Sequence, residues 1–209
     1  MLSILQYLVT FSIWVSLAAA ACPLLCGAVY GLPVAPWKPV VAFLCAFFVY
    51  SMDKVSGSME DLLNTPERAI LANYPISQLA ILAYVAAFLI TFAMDWTKWY
   101  CVAIFGLAGF LYTIRVKGHR LKDIPGLKGP YVAAVWSVSF AGLVGAGYSL
   151  IFLLILINTI IFDIRDLIGD RAAGVQTIPV MLGASRTIWL LAGLDLVLTA
   201  VHLPSALIG

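Results

Sequence analysis

Three aspartates follow one of the long apolar stretches of the sequence. The stretch YSLIFLLILINTII runs into FDIRDLIGDRAAGVQTIPV, which contains Asp163, Asp166 and Asp170. On one continuous helix these side chains would fall within an arc of about 60° and span about 10 Å of the axis. Carboxylates this close repel one another unless a cation lies among them. Mg²⁺ takes one or two carboxylates together with phosphate oxygens, so the spacing indicates a cation-bridged phosphate.

A second acidic group lies much earlier in the chain, in YSMDKVSGSMEDLLNTPER. On a helical projection Asp53 and Asp61 lie about 80° apart, and Glu60 lies about 20° from Asp53. These side chains could form the wall opposite the three aspartates. Between the two acidic groups comes the basic loop RVKGHRLKDIPGLKG. Its cationic side chains could hold phosphate oxygens that a metal ion does not reach.

The composition places these groups in a membrane protein. Of the 209 residues, 63% are hydrophobic and only 11% are charged, whereas about a quarter are charged in a soluble domain. The formal net charge of +2 indicates no nucleic-acid partner, because the basic residues are divided among short loops. The cysteines lie in apolar segments without metal-type spacing and are predicted to be core residues. The N-terminus lacks a basic n-region, which favours a retained first helix over a signal peptide.

The apolar segments predict the elements that position the site. A segment needs about 20 residues to cross the hydrocarbon core, and the predicted spans include residues 4–30, 39–52, 76–94, 99–114 and 187–205. The uncharged run from 130 to 162 contains Gly142, Gly145 and Gly147 and is predicted to form two tilted spans joined by a tight glycine turn. The fold class is therefore all-α, a polytopic bundle of about seven transmembrane helices in a single domain, residues 1–209.

The charges predict the orientation of this bundle. With the N-terminus in the cytoplasm, the loops 53–75, 115–128 and 163–186 lie inside and hold ten of the twelve lysines and arginines, as the positive-inside rule asks. Lys38 and Lys98 then lie outside. Eight of the ten acidic residues share the basic side. The expected location is a prokaryotic cytoplasmic membrane, with the active site on its cytoplasmic side.

At these residues the chain resembles the UbiA superfamily of intramembrane prenyltransferases. The match to the second aspartate-rich signature of that family covers nine positions: Asp163, Asp166, Gly169, Asp170, Arg171, Gly174, Thr177, Pro179 and Gly183. The central loop is also similar, with Tyr112 closing a helix, Lys122 within the loop and Lys128 before the next span. The first signature departs from the family pattern. When Asp61, Asn64, Pro66 and Arg68 are aligned with this signature, Lys54 and Gly57 stand where the family has two aspartates. In an offset alignment only Gly57 stands in place of an aspartate.

The resemblance implies a reaction and a set of site residues. Members of the family bind a polyprenyl diphosphate through Mg²⁺ and transfer the prenyl group to an aromatic or other lipophilic acceptor in the membrane. By similarity, Asp163, Asp166 and Asp170 hold one cation, and Asp53, Asp61 and Glu60 hold the other; Asp61 and the three later aspartates are the catalytic candidates. The diphosphate would contact Arg68, Lys122, Lys128, Arg171 and Tyr112. Tyr50, Tyr112, Trp136 and Phe162 could stabilise a carbocation through their ring faces or simply pack helices.

Two other functions stay open on the sequence. Because family members usually have nine helices, this chain is a natural minimal version, a fragment or a chain completed by a partner. The departures at Lys54 and Gly57 are compatible with a structural subunit of a larger membrane complex, such as a pigment–protein complex. An intramembrane terpene cyclase would retain ionisation of the diphosphate but let the carbocation cyclise. Three retained aspartates favour chemistry, with quinone or pigment synthesis among the expected roles.

Overall fold

The computed structural model describes residues 11–56, 74–114 and 121–208. Within these ranges the chain is helical and forms no strand, so the all-α prediction is confirmed. The longer helices are α1 (Ile13–Tyr30), α2 (Trp37–Ser56), α3 (Ile76–Asp95) and α4 (Trp99–Thr113). Next, α5 begins as Lys128–Trp136, continues through a π-helical turn at Ser137–Ala141 and ends with Gly142–Val144. The rest are α6 (Tyr148–Arg165), the short α7 (Leu167–Ala172) and α8 (Ile178–Leu182), and α9 (Ala184–Ile208); 3₁₀ turns lie at Trp96–Lys98 and Leu121–Asp123.

Four helical stretches in the described residues are long and apolar enough to cross a membrane. They are Ile13–Tyr30, Ile76–Tyr112, Tyr148–Arg165 and Ala184–Leu203. The chain is therefore an integral membrane protein. The predicted number of about seven spans goes beyond these four stretches and stays a prediction.

The stretch Ile76–Tyr112 reverses direction near Asp95. Tyr84 on α3 donates a hydrogen bond to the carbonyl of Val102 on α4 at 3.0 Å, although residues this far apart on one straight helix would lie about 27 Å apart. Asp95 leaves the helical region, with φ −158° and ψ 88°, and its carboxylate accepts from the Thr97 amide. The helices α3 and α4 are therefore an antiparallel pair closed by an aspartate cap.

The predicted glycine turn lies between α5 and α6. Gly145 and Gly147 have φ angles of +91° and +83°, a region that L-residues with a Cβ rarely adopt. The Ser137 hydroxyl donates to the carbonyl of Tyr148 across the turn at 2.7 Å. Further along the pair, Gly129 of α5 lies against Leu156 and Ile160 of α6. The prediction of two helices joined by a tight glycine turn is confirmed.

These reversals give the bundle two distinct ends. At one end Lys98 donates to the carbonyl of Gly142, and Gly147 lies against Cys26 and Tyr30. The Tyr30 hydroxyl and His202 Nδ1, 3.0 Å apart, tie α9 to α1 at this same end. Between the two ends lies a buried core, which contains the four cysteines, all free, as predicted. The opposite end carries Asp53, Asp163, Asp166 and Asp170.

Candidate active site

A cavity of about 370 Å³ lies at the acidic end of the bundle, between α1, α2, α4, α5 and α6. Its mouth is charged and its interior is aromatic and aliphatic. The charged lining residues are Asp53, Lys54, Lys128, Asp163, Asp166 and Asp170. Deeper lining residues include Trp14, Val15, Tyr50, Phe105, Val132, Trp136 and Ile155. The two acidic groups that are distant in sequence therefore meet at one cavity, with Asp53 representing the first.

The three later aspartates do not share one continuous helix. The prediction of an unbroken helix through them is wrong, because α6 ends at Arg165 and Asp166 adopts φ −90°, ψ 7° before α7 begins. After α7 the chain turns back, where the Val175 amide donates to the carbonyl of Asp170 at 2.9 Å. The amide of Asp170 still donates to the carbonyl of Asp166 at 2.9 Å. The aspartates consequently stay close enough for all three to line the cavity.

Lys128 links two of these aspartates at the start of α5. Its Nζ lies 2.6 Å from Oδ1 of Asp163 and 3.5 Å from Oδ2 of Asp170. Both carboxylates are almost fully buried, with 2% of each residue exposed, and buried carboxylates require such a cationic partner. Burial alone would lower the pKa of Lys128, but the neighbouring Asp163 and Asp170 carboxylates more than compensate and raise it. The ammonium therefore stays charged at neutral pH.

Asp166 is held differently from its two neighbours. Both of its carboxylate oxygens accept from Arg165, at 2.7 Å from Nε and 2.8 Å from Nη2. The Arg165 side chain is largely exposed, and its guanidinium lies 4.9 Å from the centroid of the Phe162 ring. Because this ion pair lies at the surface, solvent screens it and a competing phosphate or cation can replace it at little free-energy cost.

The remaining predicted site residues fall into three groups. Tyr112 lines the cavity and stacks on Tyr131, with ring centroids 5.9 Å apart and planes at 14°. Arg171 is exposed and does not line the cavity, so its predicted contact with the diphosphate has no geometric support. Outside the described residues lie the predicted Asp61, Glu60 and Arg68 and the side chain of Lys122.

Aromatic side chains form much of the inner wall. The four aromatic candidates from the sequence, Tyr50, Tyr112, Trp136 and Phe162, all line the cavity. The indole of Trp136 donates to the Tyr50 hydroxyl at 3.1 Å, which fixes both rings. Sequence reasoning missed Trp14 and Asn158 as lining residues. No local signal identifies Trp14, whereas Asn158 is a carboxamide that directly follows a long apolar run.

The cavity carries the donor types that Mg²⁺ prefers. In the part of the chain that the structure describes, no three side chains of His, Cys, Asp or Glu form a ready-made metal cluster. Mg²⁺ does not require one, because it commonly binds one or two carboxylates and completes its shell with phosphate oxygens and water. Hard carboxylate oxygens on two walls of one cavity fit that mode of binding.

The fold and the site together define a class of protein: a helical membrane protein with a charged mouth above an apolar, aromatic cavity. An amphiphile with an anionic head and a hydrocarbon tail is the ligand that such a cavity suits.

Comparison with known proteins identifies relatives within this class. The chain is similar to the digeranylgeranylglyceryl phosphate synthase of Halobacterium salinarum, with 37% identity over 142 residues, covering 61% of this chain and 49% of the relative. The synthase of the same name from Natronomonas pharaonis is 27% identical over 147 residues, which cover 64% of this chain and 51% of the relative. These homologues are UbiA-superfamily intramembrane prenyltransferases, and the resemblance to that superfamily is confirmed. The chain spans about half the length of the curated relatives it matches. No family model and no solved structure matches the chain.

Proposed function

We propose that the chain catalyses Mg²⁺-dependent transfer of a prenyl group from a polyprenyl diphosphate to a lipophilic acceptor within the membrane. One observation carries the proposal: Asp53 and the Asp163, Asp166 and Asp170 group line a single cavity whose interior is apolar and aromatic. A diphosphate belongs at the charged mouth, and a prenyl tail belongs among the inner side chains.

Carboxylates on the two walls would hold the metal in this proposal. They are Asp53 on one wall and Asp163, Asp166 and Asp170 on the other, with Asp61 as a further candidate. When bound, Mg²⁺ supplies positive charge that stabilises a departing diphosphate. Lys128, already 2.6 Å from Asp163, can turn its ammonium from the carboxylates to a phosphate oxygen. Lys54 at the same mouth, together with Arg68 and Lys122, would add further cationic contacts; Arg171 is left out because its side chain is exposed away from the cavity.

The inner wall would protect the reactive carbon. The bond between the allylic carbon and the diphosphate oxygen breaks, and its electron pair leaves with the diphosphate. Tyr50, Trp136 and Phe162 line the cavity, and their ring faces can stabilise the positive charge that remains on the prenyl group. The apolar side chains deeper in the cavity keep water from that carbon until an acceptor attacks and gives up its proton.

The relatives favour one class of acceptor. Their name specifies a glyceryl phosphate that carries two geranylgeranyl groups. For this chain we therefore favour geranylgeranyl diphosphate as donor and the hydroxyl of a glycerol-based lipid as acceptor, over the aromatic rings that the sequence also allowed. Membrane lipid synthesis, rather than quinone or pigment synthesis, is the corresponding role.

We also propose that the bundle has seven spans and that the active site faces the cytoplasm. The turns near residues 97 and 146 lie together at one end of the bundle. The charged cavity mouth lies at the other end. The sequence predicts that the basic loops lie on this same side of the membrane. This separation agrees with a cytoplasmic N-terminus under the positive-inside rule.

A panel of polyprenyl diphosphates separates this proposal from the two alternatives. The purified protein is incubated with Mg²⁺ and each diphosphate, with and without a glycerol-based or phenolic acceptor, and released pyrophosphate and lipid products are measured. Release that depends on an acceptor, with formation of a prenylated acceptor, is the expected result. Release without acceptor would indicate a terpene cyclase. No release from any diphosphate would contradict an enzyme and favour a structural subunit, for which Lys54 in the first acidic motif is the supporting observation.

A further inference from the structure

Asn158 places a carboxamide inside the cavity, deeper than the charged mouth. It lines the cavity, and its side chain is exposed. In sequence it lies five residues before Asp163 on α6, which corresponds to about 7.5 Å further along the helix axis. Other lining side chains of α6 and α1, such as Ile155 and Val15, are apolar. A polar group in these surroundings calls for a physical explanation.

The carboxamide has no hydrogen-bond partner among the described residues, since none of their hydrogen bonds involves Asn158. Its neighbour Thr159 also lines the cavity, but the Thr159 hydroxyl donates to the carbonyl of Ile155 at 2.8 Å within the same helix. A membrane-embedded amide without a partner is unfavourable. The amide is therefore available to a polar group of whatever occupies the cavity.

The hydrogen-bonding capacity of the amide indicates what kind of polar group could pair with it. A carboxamide is uncharged and can both donate and accept hydrogen bonds, as a hydroxyl does. The anionic part of a prenyl diphosphate belongs higher up, near Lys128 and Lys54, where the positive side chains are. The prenyl tail offers the amide no hydrogen-bonding atom. A neutral hydroxyl of a second molecule fits both the amide and its depth.

We propose that Asn158 marks the acceptor subsite and hydrogen-bonds the attacking hydroxyl of a lipid acceptor. This inference rests on the proposed prenyl transfer. The allylic carbon is bonded directly to the diphosphate, so it lies just below the charged mouth and within reach of a hydroxyl held at Asn158. In the transfer the acceptor oxygen forms a bond to the allylic carbon as the carbon–diphosphate bond breaks. The hydroxyl proton goes to solvent or to the departing diphosphate. Asn158 orients the oxygen and takes no proton.

Steady-state kinetics test the subsite. The probes are geranylgeranyl diphosphate as donor and geranylgeranylglyceryl phosphate as acceptor. Replacing Asn158→Leu keeps the number and branching of the side-chain heavy atoms but removes the hydrogen bond, and it should raise the KM for the acceptor by about 5- to 10-fold. The KM for the donor should stay within about twofold, because the donor does not use the amide. Asn158→Gln, which keeps a carboxamide, should recover part of the acceptor affinity.

Thr159→Val is the matched control, because the hydroxyl it removes is already bonded to the helix backbone. It should leave both KM values within about twofold of the wild type. An unchanged acceptor KM in Asn158→Leu overturns the subsite. An equal rise of both KM values overturns it as well, because the amide would then serve the donor or the fold.

A binding measurement separates the subsite from the reaction itself. The native cysteines are buried, so an introduced Asn158→Cys thiol can be followed by its rate of maleimide labelling. The acceptor probe, at a concentration well above its KM for the Asn158→Leu variant, should slow labelling several-fold without donor or Mg²⁺. Protection in a protein that shows no transfer would refute the proposed function but keep the subsite. Transfer without protection would refute the subsite alone.

Discussion

At the residue scale, the charge of Lys128 links the two buried aspartates of the site. Its ammonium contacts two buried carboxylates, Asp163 at 2.6 Å and Asp170 at 3.5 Å. A lysine in this position pairs with both carboxylates and lies where a diphosphate would enter. The same side chain can therefore serve the resting site and the bound substrate.

Replacing Lys128→Met tests the second of these roles. The substitution keeps the length of the side chain but removes the charge. Loss of a charge-assisted hydrogen bond to a phosphate oxygen should raise the KM for the prenyl diphosphate by about 10- to 100-fold. The kinetics are measured with acceptor at saturation, and the melting temperature in detergent shows whether the fold survives.

Arg186→Met provides the control for Lys128. Arg186 is an exposed cation near the start of α9 and does not line the cavity. Its replacement should change the donor KM by less than about twofold. If the folded Lys128→Met protein binds donor as well as the wild type, the lysine does not contact the diphosphate.

Contacts between site residues within one segment could be predicted from the sequence, whereas contacts between separate helices could not. Asp163, Asp166 and Asp170 are close in sequence, so their helical spacing predicted a shared face. The Lys128–Asp163 contact joins α5 to α6 and depends on how those helices pack, which spacing within one segment does not encode. The break at Asp166 was missed because an angular projection assumes a continuous helix.

At the scale of elements, Gly147 is the residue of the α5–α6 turn that lies directly against α1. Its φ of +83° favours glycine, and an added Cβ would lie 2.6 Å from Sγ of Cys26 on α1. Gly145 has a similar φ of +91°, but the nearest atom to an added Cβ is Nζ of Lys98 at 3.9 Å. The two glycines thus share the backbone requirement and differ in the space around them.

Gly147→Ala should destabilise the protein more than Gly145→Ala. Both substitutions introduce backbone strain of about 1 kcal/mol or more, and only the first adds overpacking of about 1–3 kcal/mol against α1. Apparent melting temperatures of the two variants in the same detergent provide the measurement. Equal melting temperatures would show that α1 does not pack against the turn as described.

The helices were predictable from the sequence to different degrees. The run from 130 to 162 predicted a turn because it is longer than one span and its clustered glycines fit two spans joined by a turn better than a single span. The turn at Asp95 was implied by the polar residues between two apolar segments. The π-helical turn at Ser137–Ala141 had no counterpart in the pattern, because it reflects local packing rather than hydrophobic periodicity.

At the scale of the whole molecule, the two ends of the bundle differ in charge, and this predicts their exposure. A thiol at Pro36→Cys, in the exposed turn between α1 and α2, should react with a membrane-impermeant maleimide in intact cells. A thiol at Arg186→Cys should react only after the membrane is opened. Because the native cysteines are buried, the background should be low. The reverse labelling pattern would contradict the proposed orientation, and labelling of both positions in intact cells would contradict the span count.

The central claim is that metal-bridged carboxylates make a prenyl diphosphate react, and Asp166 tests it most directly. Unlike Asp163 and Asp170 it is not fully buried and pairs with an exposed arginine, so its removal should change stability by about 1 kcal/mol or less. The measurement is Mg²⁺-dependent release of pyrophosphate from geranylgeranyl diphosphate in the presence of acceptor, for the wild type and for Asp166→Ala. The account predicts turnover by the wild type that EDTA abolishes and at least a roughly 100-fold lower rate for the folded variant. Turnover that persists unchanged in Asp166→Ala, or that does not require a divalent metal, would contradict it.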